Sequence, residues 1–120
     1  MVQPRPIALV LEDEPLISMD VEQTLEAAGF DVVAVASCVG AHAFLDHTAP
    51  TVVIVDIMLM DGPCHHIADR LVAAGVPFVV HSADHPRDYV DTPFAAGTWI
   101  NKPSVASEFL AATLAAAGAG

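Results

Sequence analysis

The sequence predicts an α/β domain built on a doubly wound, five-stranded parallel sheet. Short runs of branched apolar residues, typical of strands, alternate along the chain with runs that have helical spacing. In addition, acidic, hydroxyl or amino side chains directly follow four of the predicted strands. Because the carboxyl ends of parallel strands open onto one crevice, we expect these side chains to meet there.

The first predicted strand is IALVL, residues 7–11, and a helix over about 15–28 follows it. Asp13 or Glu14 is placed to cap this helix, and Pro15 suits its first turn. Apolar residues at helical spacing mark the face that we expect to pack on the sheet: Ile17, Val21, Leu25 and Ala28.

The second strand is predicted over 31–36, where Ser37 is placed to cap a helix that runs to about His47. Three residues of this helix are expected near its buried side: Ala43, Phe44 and His47. The third strand, 51–55, is nearly all branched aliphatic. That composition is typical of a central strand buried on both faces.

The remaining elements continue the alternation: a helix over 64–74, a strand at 76–81, a short or distorted helix, a strand at 98–101 and an alanine-rich helix from Ser104 to about Ala117. The fourth helix is expected to be short or distorted because Pro86 and Pro93 bracket its segment. Right-handed crossovers between such units give the strand order 2-1-3-4-5 of flavodoxin-like folds, with the switch point between strands one and three.

The composition predicts a globular chain that binds neither membranes nor nucleic acids. With 120 residues, 54% of them hydrophobic and 16% charged, we expect one domain over 1–120. No apolar run reaches membrane-spanning length and the N-terminus lacks a signal-peptide pattern, so we expect a cytoplasmic protein. The formal net charge is −11 and the four basic residues are scattered, which argues against nucleic-acid binding.

The cysteines and histidines do not predict a metal site. Cys38 and Cys64 are isolated in the sequence and are interpreted as small buried or half-buried hydrophobes, with no disulfide favoured. His42 and His47 are five residues apart and lack the four-residue spacing of a zinc-binding helix. All six histidines are interpreted as solvated or half-buried.

The candidate site consists of the polar residues at the strand ends: Glu12, Asp13, Asp56, Ser82 and Lys102. Carboxylates held close together repel one another unless a cation joins them. Mg²⁺ prefers such oxygen ligands, together with water and phosphoryl oxygens. A carboxylate can also attack phosphorus to form an aspartyl-phosphate, and phosphoryl transfer then requires mainly positioning and charge neutralisation. Lys102 supplies a positive charge for this task and Ser82 a hydroxyl donor.

Four runs carry a resemblance to a known family: VLEDEP, VDIMLMDG, HSA and INKP. In this order and spacing they resemble the signature of bacterial two-component response regulator receiver domains, over essentially the whole chain. Within that family, EDEPLISMDVEQTLEAAGF and GVPFVVHS are similar to receivers that accompany HWE-type sensor histidine kinases.

The resemblance implies that Asp56 accepts a phosphoryl group from a phosphohistidine on a sensor histidine kinase or a histidine phosphotransferase. It implies Mg²⁺ as the cofactor, held by Asp13, Asp56 and the backbone carbonyl of Met58. Glu12 would act mainly through a coordinated water.

The resemblance also assigns the residues that respond to phosphorylation. Lys102 would pair with Asp56 and then with a phosphoryl oxygen, across a cis Lys102–Pro103 peptide bond. Ser82 would swing inward to another phosphoryl oxygen, and Trp99 occupies the position of the family's switch aromatic.

Several residues depart from the family pattern. Leu59-Met60 replaces the usual Met-Pro, so the loop after Asp56 is expected to take another path. Trp99 is bulkier than the usual Tyr or Phe, and packing aromatic surface is an equally good interpretation of it. Met58 lacks a polar group that helps a hydrolytic water, and Asp84 adds negative charge near Ser82. We therefore expect slow spontaneous dephosphorylation.

The leading functional hypothesis is a stand-alone response regulator without an effector domain, whose output is protein binding or onward phosphotransfer. It would catalyse only its own modification and is not a turnover enzyme. The alternative is a phosphorylation-independent docking module on the same fold. A hydrolase with an aspartate nucleophile is disfavoured because Met58 stands where a second acid is needed. A flavin site is disfavoured by the acidic loop after the first strand.

The closing helix, SVASEFLAATLAAAG, carries a single charge. We expect Phe109, Leu110, Ala112 and Leu114 to pack on the sheet. Alanine's helix propensity is the simplest account of this composition. The smooth surface, together with the fourth-helix region and the fifth strand, is also suited to docking a downstream protein or a second copy of the chain as a homodimer.

Overall fold

The computed structural model describes residues 4–119 and contains a five-stranded parallel sheet. We number the strands of this sheet in chain order as β1 (Ile7–Leu11), β2 (Asp31–Val35), β3 (Val52–Val55), β4 (Phe78–Ser82) and β5 (Thr98–Asn101). The helices are α1 (Pro15–Ala27), α2 (Cys38–Leu45), α3 (His65–Ala74) and α4 (Ala106–Ala119). The spatial order β2-β1-β3-β4-β5 confirms the predicted doubly wound topology.

The sheet divides the apolar core into two clusters. All four residues of β3 are buried, as the branched aliphatic run predicted. Val53 and Val55 join the cluster that also contains Ile67 and Leu71 of α3. The other two residues of β3 join the cluster on the opposite face, with α1 and α4. Because helices cover both faces, the strand ends are the places where polar side chains can gather.

The strand register aligns the residues that follow the strands. Leu11 of β1 pairs with Val55 of β3. Glu12 and Asp56, the next residue of each chain segment, therefore lie side by side at the carboxyl ends of these two strands. On the other side, Ser82 pairs with Asn101 and its carbonyl accepts a 2.8 Å hydrogen bond from the backbone N–H of Lys102. The register alone therefore carries distant residues to one edge of the sheet.

Local capping groups fix where the helices begin and end. Glu14 caps α1 by accepting from the backbone N–H of Leu16, and Ser37 caps α2 by accepting from that of Gly40. Asp61 adds a second cap to α2, which the sequence did not predict, by accepting from two backbone N–H groups. Gly75 ends α3 in the left-handed conformation, with φ 70°.

The predicted faces of two helices are partly wrong. In α2, Ala41 is buried and Phe44 half-buried, whereas Ala43 and His47 are exposed. Ala41, Phe44 and Leu45 share the inner face at three- and four-residue spacing. The helix ends at Leu45, so His47 lies beyond it. In α1, Val21 and Leu25 are buried as expected, but Ala28 lies beyond the helix and is exposed.

The predicted packing face of the closing helix α4 is only partly right. It begins at Ala106 and continues through Gly118. Its buried residues recur at three- and four-residue spacing: Phe109, Thr113 and Ala116. Leu114 is off this stripe and 46% exposed, while Leu110 and Ala112 are half-buried. The Thr113 hydroxyl is buried because it donates to the Phe109 carbonyl one turn earlier.

The segment between β4 and β5 forms two short 3₁₀ helices, Pro86–Tyr89 and Pro93–Ala96. This confirms the expectation of a short or distorted helix, because Pro93 lacks the backbone N–H needed to continue a helix that starts at Pro86. After β3 the chain forms a small hairpin of two-residue strands, Met58–Leu59 and Gly62–Pro63, which the sequence did not predict.

Both cysteines are free thiols, with Cys38 half-buried and Cys64 buried, as interpreted from the sequence. Over residues 4–119, no helix combines the length and the apolar character needed to cross a bilayer.

Candidate functional site

Three carboxylates gather beyond the ends of β1 and β3. Glu12, Asp13 and Asp56 each offer an oxygen, and these oxygens all lie within 4.8 Å of one another. Ligands of one Mg²⁺ ion at about 2.1 Å lie roughly 3 to 4.2 Å apart. Small side-chain adjustments would therefore bring Asp13 and Asp56 into reach of a single ion, with Glu12 close enough to act through a coordinated water. The spacing and the hard oxygen chemistry fit the predicted magnesium site.

The Lys102 ammonium group completes the cluster from the end of β5. Its Nζ donates a 2.6 Å hydrogen bond to Glu12 Oε1 and a 3.2 Å hydrogen bond to Asp56 Oδ2. The Lys102 side chain is 16% exposed, so these ion pairs are largely withdrawn from water. The Lys102–Pro103 peptide bond is cis, as the resemblance implied.

Glu12 and Asp13 are adjacent in sequence but differ in their surroundings. Glu12 is buried, and both its oxygens are engaged: Oε1 accepts from Lys102 and Oε2 from the backbone N–H of Glu14. Asp13 is exposed. Glu12 is therefore held in place by the protein, whereas Asp13 faces the solvent from which an ion would arrive.

Burial of Asp56 disfavours its ionised form. Burial raises its pKa, Lys102 opposes this rise and the nearby Glu12 adds to it, so that the pKa of Asp56 is raised to about 6. For Lys102, burial lowers the pKa, but the hydrogen bond to Glu12 and the attraction of both carboxylates outweigh burial and raise the pKa overall. The cleft thus holds an excess of negative charge that a divalent cation would relieve.

Ser82 and Asp84 follow the end of β4. Ser82 is buried, and its Oγ accepts a 3.0 Å hydrogen bond from the backbone N–H of Asp84. The Asp84 carboxylate accepts a 2.6 Å hydrogen bond from the Tyr89 hydroxyl. Sequence reasoning missed this second bond because Tyr89 lies in the irregular segment, where no periodicity signals which side chains meet.

Trp99 lies on β5 beneath the first 3₁₀ helix. It is half-buried, its ring lies 5.6 Å from the ring of Tyr89, and the two planes are inclined by 33°. The indole Nε1 is buried and has no hydrogen-bond partner among residues 4–119. A buried N–H without a partner costs free energy. The Trp99 ring is therefore held by its apolar contacts and not by a hydrogen bond.

His81 differs from its interpretation, and Met58 is the last of the predicted site residues. His81 is buried, not solvated or half-buried, with Nε2 3.0 Å from Ser104 Oγ and its ring against Phe109. Burial, followed by the charge of Lys102, lowers the pKa of His81. Met58 lies in the hairpin after Asp56 and is 55% exposed; its carbonyl as a metal ligand stays a prediction.

No family model matches the chain, and no curated protein matches it. Solved structures do. A response regulator receiver protein from Sinorhizobium medicae has a TM-score of 0.85 at 24% identity, with 96% of each chain covered. A sensor protein from Polaromonas has a TM-score of 0.85 at 26% identity, covering 97% of this chain and 98% of its own.

A third similar structure is the receiver domain of a sensor histidine kinase from Pseudomonas aeruginosa, which holds a magnesium ion in its active-site cleft. Its TM-score is 0.83 at 19% identity, and 96% of this chain and 99% of that chain are covered. The narrower likeness to receivers of HWE-type kinases stays a prediction. The arrangement of strands, helices and strand-end carboxylates shows that this chain has the fold of the response regulator receiver domains.

Proposed function

We propose that this chain is a phosphoacceptor of a two-component or phosphorelay signalling system. In this proposal Asp56 takes a phosphoryl group from a phosphohistidine in a Mg²⁺-dependent reaction. One observation carries the proposal: Asp56 lies within 4.8 Å of two other carboxylates while Lys102 Nζ is 3.2 Å from its Oδ2. A carboxylate, a divalent-cation site and a fixed ammonium group are what phosphoryl transfer to an aspartate requires.

In the proposed reaction, an Asp56 carboxylate oxygen forms a bond to phosphorus while the bond from phosphorus to the donor's histidine nitrogen breaks. Asp13 and Asp56 would hold Mg²⁺ with the Met58 carbonyl, and Glu12 would contribute through water. The ion would supply neutralisation of charge on the transferred group. Lys102 would exchange its hydrogen bond to Asp56 for one to a phosphoryl oxygen, which carries the negative charge after transfer. Its hydrogen bond to Glu12 would keep the ammonium group in the cleft.

The proposed partners are a sensor histidine kinase or a histidine phosphotransferase upstream and a protein of unassigned identity downstream. Leu16 and Met19 of α1 support an upstream contact because they are 75% and 54% exposed. Leu16 also lines a cavity of about 610 Å³ whose wall includes Lys102. We further propose that the chain acts in the cytoplasm, that it performs no other turnover, and that Ser82 and Trp99 carry the response.

Acetyl phosphate with Mg²⁺ provides a direct test without a known kinase. Intact-mass measurement is expected to show a gain of about 80 Da in the wild type, the mass of one phosphoryl group. The gain should disappear in Asp56→Asn and should persist in Asp69→Asn, which removes an exposed carboxylate on α3. Asp13→Asn keeps the nucleophile and should slow the gain by weakening the metal site. A gain that survives Asp56→Asn would refute the assignment of the phosphoacceptor.

A docking module that needs no phosphorylation is the second candidate. The apolar side chains Val90, Val105 and Leu114 favour it, because they are 63%, 60% and 46% exposed. These side chains would also serve in the output contacts of a phosphorylated protein, or in a homodimer contact. A wild type that gains no mass, even with a cognate kinase, while its partner binding is unchanged in Asp56→Asn, would favour docking alone.

A further inference from the structure

Asp84 ties together three parts of the structure beside the candidate site. Its backbone N–H donates to Ser82 Oγ at 3.0 Å, and its carbonyl accepts from Asn101 Nδ2 at 3.0 Å. Its carboxylate accepts from the Tyr89 hydroxyl at 2.6 Å. One residue thereby joins the end of β4, the end of β5 and the first 3₁₀ helix. Any displacement of Ser82 must be taken up by these bonds.

Tyr89 connects Asp84 to the aromatic residues of the surface. Its ring lies 5.6 Å from that of Trp99 and 5.9 Å from that of Phe94, edge-on to the latter. The hydrogen bond to Asp84, followed by burial, raises the pKa of Tyr89 to about 12. The hydroxyl therefore keeps its proton and acts as a donor at neutral pH. The indole Nε1 of Trp99 has no hydrogen-bond partner within residues 4–119, so the contact with the Tyr89 ring helps to hold the indole in place.

We infer that Asp84 and Tyr89 form a latch that holds Ser82 and Trp99 in the unphosphorylated arrangement, and that phosphorylation of Asp56 opens this latch. The inference rests on the proposed function. When the Ser82 hydroxyl turns to a phosphoryl oxygen, the Asp84 N–H loses its acceptor and the Asp84 peptide is released. The phosphoryl group also adds negative charge to the cleft, which repels the Asp84 carboxylate. Tyr89 then loses its acceptor, and its ring no longer holds Trp99.

In this mechanism Tyr89 is a positioning residue that acts on Ser82 through Asp84. The Tyr89–Asp84 hydrogen bond exists only in the closed state, so its removal shifts the equilibrium towards the open state. Tyr89→Phe deletes the hydroxyl and keeps the ring against Trp99. Since the bond is partly exposed to solvent, we expect a modest gain of about threefold in affinity for beryllofluoride, a phosphoryl analogue, with Mg²⁺.

The chain contains a single tryptophan, so the indole N–H of Trp99 gives one unambiguous signal in ¹⁵N-correlated NMR spectra. In the wild type, beryllofluoride with Mg²⁺ should shift this signal. In Tyr89→Phe and Asp84→Ala, the signal of the free protein should already lie at least halfway to the wild-type bound position. Asp84→Asn keeps an acceptor for the Tyr89 hydroxyl, so the indole signal of this variant without ligand should lie at the wild-type position.

Thr51→Val is the matched control, because it also removes one hydroxyl group that takes part in a hydrogen bond. Thr51 Oγ1 accepts from the Ile7 N–H at the amino ends of the strands, away from the candidate site. It should change neither the indole signal nor the affinity, and circular dichroism confirms that each variant is folded. If free Tyr89→Phe and Asp84→Ala show the wild-type signal and affinity, the latch is wrong and the phosphoacceptor stands. If Asp84→Asn behaves like Asp84→Ala, the hydrogen bond is not the cause. A wild type that neither binds beryllofluoride nor gains mass overturns both proposals.

Discussion

Lys102 Nζ donates a 2.6 Å hydrogen bond to Glu12 Oε1, joining residues that are 90 positions apart. The resemblance implied that Lys102 pairs with Asp56, and it does so at the longer distance of 3.2 Å. The Glu12 side chain is only 4% exposed, so the shorter bond is also the more buried one. Lys102 is thus anchored by Glu12 and remains available to the group that Asp56 carries.

Removal of the Lys102 charge should destabilise the fold through Glu12. Lys102→Met leaves the Glu12 carboxylate buried without a counter-charge, and such a loss typically lowers the free energy of unfolding by about 2–4 kcal/mol. The measurement is urea denaturation in Mg²⁺-free buffer. Adding Glu12→Gln should recover at least half of the loss, because the variant no longer buries an uncompensated charge.

An exposed ion pair provides the comparison for this prediction. Arg70 Nη2 lies 2.8 Å from Asp46 Oδ1, with side chains 34% and 59% exposed. Asp46→Asn should lower the free energy of unfolding by less than about 1 kcal/mol. The interpretation of Glu12 fails if the double variant is no more stable than Lys102→Met alone.

The stability contributed by Asp56 should decrease as the pH rises. Its pKa is about 6 in the folded protein against an ordinary value of 3.8, so the folded state binds this proton more tightly. Between these values the folded protein holds more protons than the unfolded chain, and stability falls with increasing pH. Asp56→Asn removes this penalty and should be more stable than the wild type by about 1–2 kcal/mol at pH 7.5, with the difference vanishing near pH 4.

Denaturation of both proteins across this pH range, without Mg²⁺, measures the effect. Asp69→Asn controls for the change in net charge. Saturating Mg²⁺ should stabilise the wild type and close the gap, because the ion binds the ionised carboxylate. A difference between wild type and Asp56→Asn that grows as the pH falls would contradict the cause assigned to the raised pKa.

The parts of the fold that local patterns control were predicted from the sequence. The run 51–55 identified the central strand, and the alignment of Glu12 with Asp56 followed from parallel strands ending at one edge. Ser37 marked the start of α2 because its side-chain hydroxyl can cap a helix. The cis bond at Pro103 was predicted only through the resemblance, and so was the role of the Met58 carbonyl, which stays a prediction.

The parts that tertiary packing controls could not be predicted. Whether Ala41 or Ala43 is buried depends on which face of α2 packs on the core, and an almost wholly apolar helix gives no periodic signal for that face. The same ambiguity affected Leu114 in the alanine-rich α4. The Asp84–Tyr89 hydrogen bond lies in a segment without periodicity, so no pattern could reveal it.

Gly97 should tolerate no side chain because of Phe78. A Cβ added at Gly97 would lie 2.5 Å from Cε2 and 2.6 Å from Cδ2 of the Phe78 ring, which is buried. Overpacking of this kind lowers the free energy of unfolding by about 1–3 kcal/mol. Gly118→Ala is the matched control, since a Cβ there meets nothing within 4 Å inside α4. Urea denaturation should show a loss for Gly97→Ala and none for Gly118→Ala; equal stabilities would refute the contact.

Phosphorylated Asp56 should lose its phosphoryl group slowly. Hydrolysis needs a water aligned with the phosphorus, and the Met58 thioether is a poor hydrogen-bonding partner for such a water. The Asp84 carboxylate, two residues after Ser82, adds negative charge rather than a hydrogen-bond donor. The decay of the phosphorylated mass with Mg²⁺ at neutral pH should therefore extend well beyond seconds, and a half-life of seconds would contradict the prediction.

A polar side chain at position 58 should accelerate this decay, because it can orient the attacking water. Met58→Asn is expected to shorten the half-life by roughly threefold or more. Met60→Asn is the matched control: Met60 follows two residues later and is 71% exposed, so it receives the same chemical change beyond the cleft. Equal acceleration by both variants would show that loop polarity in general, and not the group beside Asp56, limits hydrolysis.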